Sequence, residues 1–129
     1  MRITALFTAF LLLLFAAGGV SAVTITDDLG VTVTIENPPE RIVSLSPANS
    51  EILFALGLDE KIVGVTEYCT YPEAALSKEK IGGFSTVNIE KVSVLNPDLI
   101  VAADGNSEET LAHLRELGFT VITINADTM

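Results

Sequence analysis

Three aromatic rings in polar surroundings are the residues of this chain best suited to recognition. Tyr68 and Tyr71 lie in TEYCTYPEAALSKEK (66–80) and Phe84 opens FSTV (84–87), and together they are three of only eight aromatics. Flat aromatic surface at a polar rim suits a large, partly apolar ligand. The alternative is that each ring plugs the core beneath it. Residues suited to catalysis are sparse. The single histidine, His113, follows Glu109 by four positions on a helical stretch, the spacing of a solvated pair rather than of a base or metal ligand. The single cysteine, Cys69, is far from it in sequence, so neither a zinc site nor a thiol–imidazole pair is supported. It reads as a small packed residue. Glu51 and Glu67 would make an acid/base pair only if the fold brought them together, and nothing in their spacing requires that. There is no G-x-G-x-x-G, no G-x-x-x-x-G-K-S/T and no G-x-S-x-G, so dinucleotide, P-loop and nucleophile-elbow chemistry lack support. These residues point to binding without catalysis, and no catalytic residue, metal site or cofactor is assigned.

The elements that must position the rings are written most clearly in RIVSLSPANSEILFALG (41–57). Arg41 to Leu45 reads as a short buried strand. Ser46 stands at an N-cap and Pro47 at the first helical position, where its missing N–H costs nothing. Ile52, Leu53, Ala55 and Leu56 form an apolar face at helical spacing, and Gly57 supplies a left-handed stop. Lys61 to Val65 follows as a second strand, completing a β-α-β unit with parallel strands. Upstream, Val23 to Thr26 and Val31 to Ile35 alternate apolar and hydroxyl residues around Asp27 to Gly30, a β-hairpin ended by Pro38 and Pro39. Downstream, 66–80 reads as a loop with a short helical turn and 81–84 as a brief extended piece. Asn88 caps a helix to Leu95 that buries Ile89, Val92 and Leu95, and Asn96-Pro97 stops it. Asp98 to Ala103 is a buried strand. Ser107 caps a helix with Glu108 and Glu109 in its first turn and Gly118 at its end. Thr120 to Ile124 is a last strand. The pattern predicts an α/β fold, a single Rossmann-like lobe with a parallel sheet and an N-terminal β-hairpin.

Composition narrows the partners. The chain carries 7 Lys and Arg against 17 Asp and Glu, a net charge of −10. Such acidity disfavours nucleic acid and anionic lipid. Met1-Arg2, the apolar run Leu6 to Ala17 and the small residues Val20-Ser21-Ala22 read as a secretory signal peptide cleaved after Ala22. An uncleaved membrane anchor is the alternative. With one cysteine no internal disulfide can form, so the remaining lobe, 23–129, must stand on its packing.

In open parallel sheets, ligands bind outside the carboxyl ends of the strands. That rule collects Ser46-Pro47, Thr66 to Cys69, Phe84 to Val87 and Asp104 to Asn106 on one edge. RIVSLSPANSEILFALG, KIVGVTEYCTYP, IGGFSTVNIEKVSVLNPDLIVA and LRELGFTVITIN then resemble the amino-terminal lobe of the cobalamin/ferric-siderophore class of ABC-transporter substrate-binding proteins. The most specific matches are S-P-A-N-S-E (46–51) and N-I-E-K-V-S-V-L-N-P-D-L-I (88–100). The resemblance implies two α/β lobes joined by a long helix, with ligand held between them. It implies that Tyr68 and Phe84 stack on the ligand, that Ser46, Pro47 and Ala48 give close backbone contact, and that Asn106 is a rim contact. Glu90 takes the position of a carboxylate that docks onto the membrane permease; its plain alternative is a first-turn charge complementing the helix dipole.

The linking helix and second lobe of that family are not in these 129 residues. A half-site binds more weakly and cannot close on a ligand. A separate partner supplying the second lobe, a fragment, and a remnant lobe that binds nothing all remain open. The expected ligand is a corrinoid ahead of a ferric siderophore or haem, because the four loops hold no arginine to pair with an anionic chelate, although Lys91 lies near. A sensor or enzyme using Asp104 at a strand end is a third reading, disfavoured by the leader and the lack of an acidic cluster.

Overall fold

β-branched and leucine-rich runs of three or four residues build the sheet. In the computed structural model, which describes residues 22–125, these are β3 (Ile42–Ser44), β4 (Ile62–Val65), β6 (Leu99–Ala102) and β7 (Val121–Thr123). The expected leader, apart from Ala22, and residues 126–129 lie outside the described residues. A further strand, β5 (Glu79–Lys80), falls inside the stretch expected to be loop; two residues offer no periodicity to read. The five strands are parallel in the order β5-β4-β3-β6-β7. The chain therefore steps outward from β3 to β4 and β5, then returns and steps the other way through β6 and β7. The point of reversal lies between β3 and β6, where an open parallel sheet parts its loops into a crevice.

Side chains along β3, β6 and β7 alternate between two cores, as the period of two requires, while a register shift in the β3–β4 pairing puts both Ile62 and Val65 of β4 on one face. Ile42, Ile62, Val65, Leu99, Val101 and Ile122 pack on one face with Leu53 of helix α1 (Pro47–Ala55). Val43, Ile100, Ala102 and Val121 pack on the other with Val92 of α2 (Ile89–Leu95) and Leu111 and Leu114 of α3 (Glu108–Glu116). The hairpin, β1 (Val23–Thr26) and β2 (Thr32–Ile35), lies antiparallel and sets Val33 and Ile35 against the α1-side core. Its turn also covers the free edge of β7: Asp28 N donates to Thr123 O at 3.0 Å and Thr123 N to Asp27 Oδ2 at 3.0 Å. An edge covered this way cannot template pairing with another chain.

All three predicted N-caps form. The side chains of Ser46, Asn88 and Ser107 accept from the N–H three residues on. Gly57 takes the left-handed conformation after α1, and Asn96 does so after α2. The buried face of α1 differs from expectation. Leu53 is buried, but Ala55 and Leu56 are exposed and the inward positions of the first turns are Asn49 and Ser50. These polar residues face the sheet because the strands end there: Asn49 Nδ2 donates to Ala102 O at 2.9 Å and Ile124 O at 3.1 Å, at the ends of β6 and β7. Ile124 O thereby gains a donor beneath the helix, and Ala102 O, which also accepts from Ile124 N at 2.8 Å, gains a second one.

Candidate functional site

The switch point between β3 and β6 is bolted by one side chain. Asn106, in the loop after β6, accepts from Ala103 N at 2.8 Å through Oδ1. Its Nδ2 donates to Leu45 O at 3.0 Å, at the end of β3, and to Phe84 O at 2.7 Å. Flipping the amide would aim its oxygen at two carbonyls, so the assignment is self-consistent. Three of the four predicted loops thus meet on Asn106. The residue is only 4% exposed and both its amide hydrogens are committed, which corrects its expected place as a rim contact to a place beneath the rim. The fourth loop joins through Glu67 N, which donates to Gly82 O at 2.9 Å.

Above this frame stand the aromatics. Tyr68 is 65% and Tyr71 69% exposed, so neither ring plugs the core. Phe84 is half-buried. A Cβ built on Gly105 would lie 2.2 Å from Phe84 Cε1 and 2.4 Å from Cζ, so the ring edge occupies the space that the glycine leaves free. Tyr68 Cε2 comes within 3.7 Å of a Cβ placed on Gly83, one residue before Phe84. The fold therefore brings Tyr68 and Phe84 to one edge. Ser46 is 3% exposed with its hydroxyl spent on the cap, so surface contact from this turn falls to half-buried Pro47 and exposed Ala48.

Cys69 is a buried free thiol, and its Sγ lies 3.1 Å from Ser50 Oγ and 3.2 Å from Thr66 Oγ1. It ties α1 to the loop after β4. Lys80 Nζ donates to Ala75 O at 2.8 Å and holds the outer part of that loop. His113 is exposed on α3, beside Glu109 and Glu116. Among the described residues no group of three or more His, Cys, Asp or Glu is placed to hold a metal ion, and no helix is long and apolar enough to cross a membrane. Glu90 is exposed on the first turn of α2 and enters none of the ion pairs found among the described residues. It lines a groove of about 540 Å³ with Glu79, Asn88, Lys91, Val94 and Leu95.

Asn49, Gly105 and the bolting role of Asn106 escaped the sequence reading. The signal for Gly105 and Asn106 is a glycine or polar residue shortly after a strand end, which equally marks an ordinary loop, and Asn49, inside α1, carries no such signal.

The doubly wound sheet with its loops gathered at the switch point is the frame of a ligand-binding lobe. The chain belongs to the periplasmic binding protein family, whose model its residues 42–128 match. It is 45% identical over 106 residues to an uncharacterised ABC transporter substrate-binding lipoprotein, YvrC, of Bacillus subtilis, covering 80% of this chain and 33% of that one. Among solved structures it resembles the periplasmic vitamin B12 binding protein BtuF of Vibrio cholerae, with 49% identity and a TM-score of 0.64 over 67% of this chain and 34% of that one. It also resembles the periplasmic heme-binding protein RhuT of Roseiflexus sp. RS-1, with 37% identity and a TM-score of 0.64 over 68% and 34%. The chain spans about a third of the length of these relatives.

Proposed function

We propose that this chain is the amino-terminal, cleft-bearing lobe of an exported substrate-binding component of an ABC importer, and that its cargo is a corrinoid. The observation that carries the reading is the pair Tyr68 and Phe84, set on one edge over a hydrogen-bonded switch point. Two rings displayed at a strand-end crevice match a broad, partly apolar macrocycle better than a small ion. The protein named for vitamin B12 has the higher identity of the two structures described, and the four loops lack an arginine for an anionic chelate. Pro47 and Ala48 give close backbone approach. A second lobe, in the same polypeptide or as a separate partner, closes the cleft. Export follows from the leader, residues 1–22. Glu90 docks the loaded lobe onto basic groups of the permease, and complementary charge at an interface rim governs encounter and register.

The test joins this chain to the linking helix and carboxy-terminal lobe of the Vibrio cholerae protein and titrates cyanocobalamin and haemin. Cyanocobalamin is expected to bind more tightly, and Tyr68→Ala to weaken it by about tenfold, the usual loss for a buried aromatic anchor. Preference for haemin, or an unchanged affinity in the Tyr68 variant, contradicts the assignment. For docking, Glu90→Ala in the same chimera is expected to lower transport by roughly fivefold to tenfold in cells carrying the cognate permease. Undiminished transport returns Glu90 to a first-turn charge.

A further inference from the structure

We infer that Gly105 and Asn106 form a positioning device for Phe84, setting the ring's place at the cleft edge without themselves touching the ligand. This rests on the reading of Phe84 as a ligand-facing ring. Two independent contacts hold that residue. Its carbonyl accepts from Asn106 Nδ2 at 2.7 Å, which pins the backbone to the switch point. Its ring edge lies where a Cβ on Gly105 would stand, 2.2 Å from Cε1 and 2.4 Å from Cζ, a separation no real Cβ tolerates. Gly105 lies outside the positive-φ region that disfavours side chains, so backbone conformation does not require glycine there. What the position needs is space for the ring. The neighbouring residues therefore act on one target from two sides, one fixing its main chain and the other clearing its side chain. Because Tyr68 packs beside Gly83, any shift of Phe84 changes the spacing between the two rings and with it the shape of ligand they fit.

The experiment is a double-mutant cycle in the same two-lobe chimera, comparing the native amino-terminal sequence, Gly105→Ala, Phe84→Ala and the double variant. Cyanocobalamin and haemin are the probes, and ¹³C-labelled phenylalanine rings are followed by NMR. Gly105→Ala is expected to move the Phe84 ring resonances and to weaken cyanocobalamin binding by about tenfold, while in the Phe84→Ala background it changes affinity by less than about twofold. An equal loss in both backgrounds, or unmoved Phe84 resonances, overturns the positioning role. Failure of the chimera with the native amino-terminal sequence to bind either probe overturns the ligand reading instead, and the ring resonances still decide whether Gly105 places Phe84.

Discussion

Asn106→Leu is expected to destabilise the lobe by about 3–5 kcal/mol, although the new side chain has nearly the same shape. The substitution removes one acceptor and two donors at once and strands Ala103 N, Leu45 O and Phe84 O. The first two partners are buried, so water cannot replace the lost amide there, and an unsatisfied buried group costs roughly 1–3 kcal/mol. Phe84 O lies in a part-buried position and recovers some hydration. Against a total stability of about 5–15 kcal/mol for a domain of this kind, the loss is a large fraction. Denaturant unfolding of the native and variant chains measures it directly. A cost below about 1 kcal/mol would mean that the three loops are held by packing and that the amide bolt is redundant. Asn106→Asp is a sharper control. It keeps the acceptor for Ala103 N but aims a carboxylate oxygen at two carbonyls, so it should be no better tolerated than leucine.

That prediction also marks the limit of what could be read from the residues. Caps, stops and strand runs were legible because their causes are local. Ser46, Asn88 and Ser107 each bond a backbone group three positions away, and the alternation in β1 and β2 needs only one wet face. Asn106 was legible as a strand-end residue but not as a buried one, since its partners lie 61 and 22 positions away and only the sheet order unites them. The same holds for α1. Its apparent apolar face, 52–56, is largely turned away from the core, because polar Asn49 and Ser50 are drawn inward by carbonyls at the ends of β6 and β7 and by the hydroxyl of Ser44. Long-range bonding set the helix rotation, and no periodicity within the helix records it. The rings divide in the same way. Tyr68 stands in a polar loop and is exposed, as its surroundings suggested; Tyr71, read rather as a core plug, is exposed too, and the half-burial of Phe84 depends on Gly105, a residue from another loop.

Gly82→Ala should cost about 3–4 kcal/mol, and the comparison with Gly57→Ala explains why. Both glycines have positive φ, +106° and +78°, so both substitutions incur the conformational penalty of roughly 1–2 kcal/mol. Around Gly57 nothing lies within 4 Å of the added Cβ, and its cost should stop there. At Gly82 the new atom would meet Thr86 O at 2.6 Å and Asn88 N at 3.0 Å, both backbone, so no side-chain rotation relieves it. Gly82 closes the loop that carries Phe84: it bridges Val87, its carbonyl accepts from Glu67 N, and beside it Asn88 N donates to Ile81 O at 2.8 Å. Opening that loop disturbs the base of α2 and both ring-bearing segments together. Parallel unfolding curves for the two variants test the argument. Equal midpoints would show that the close backbone approach at Gly82 relaxes without cost; a gap of 1–2 kcal/mol or more assigns the excess to the closed loop. Gly82 is then a geometric requirement of the aromatic edge, because only a residue without a side chain lets the segment after β5 return tightly enough to present that ring.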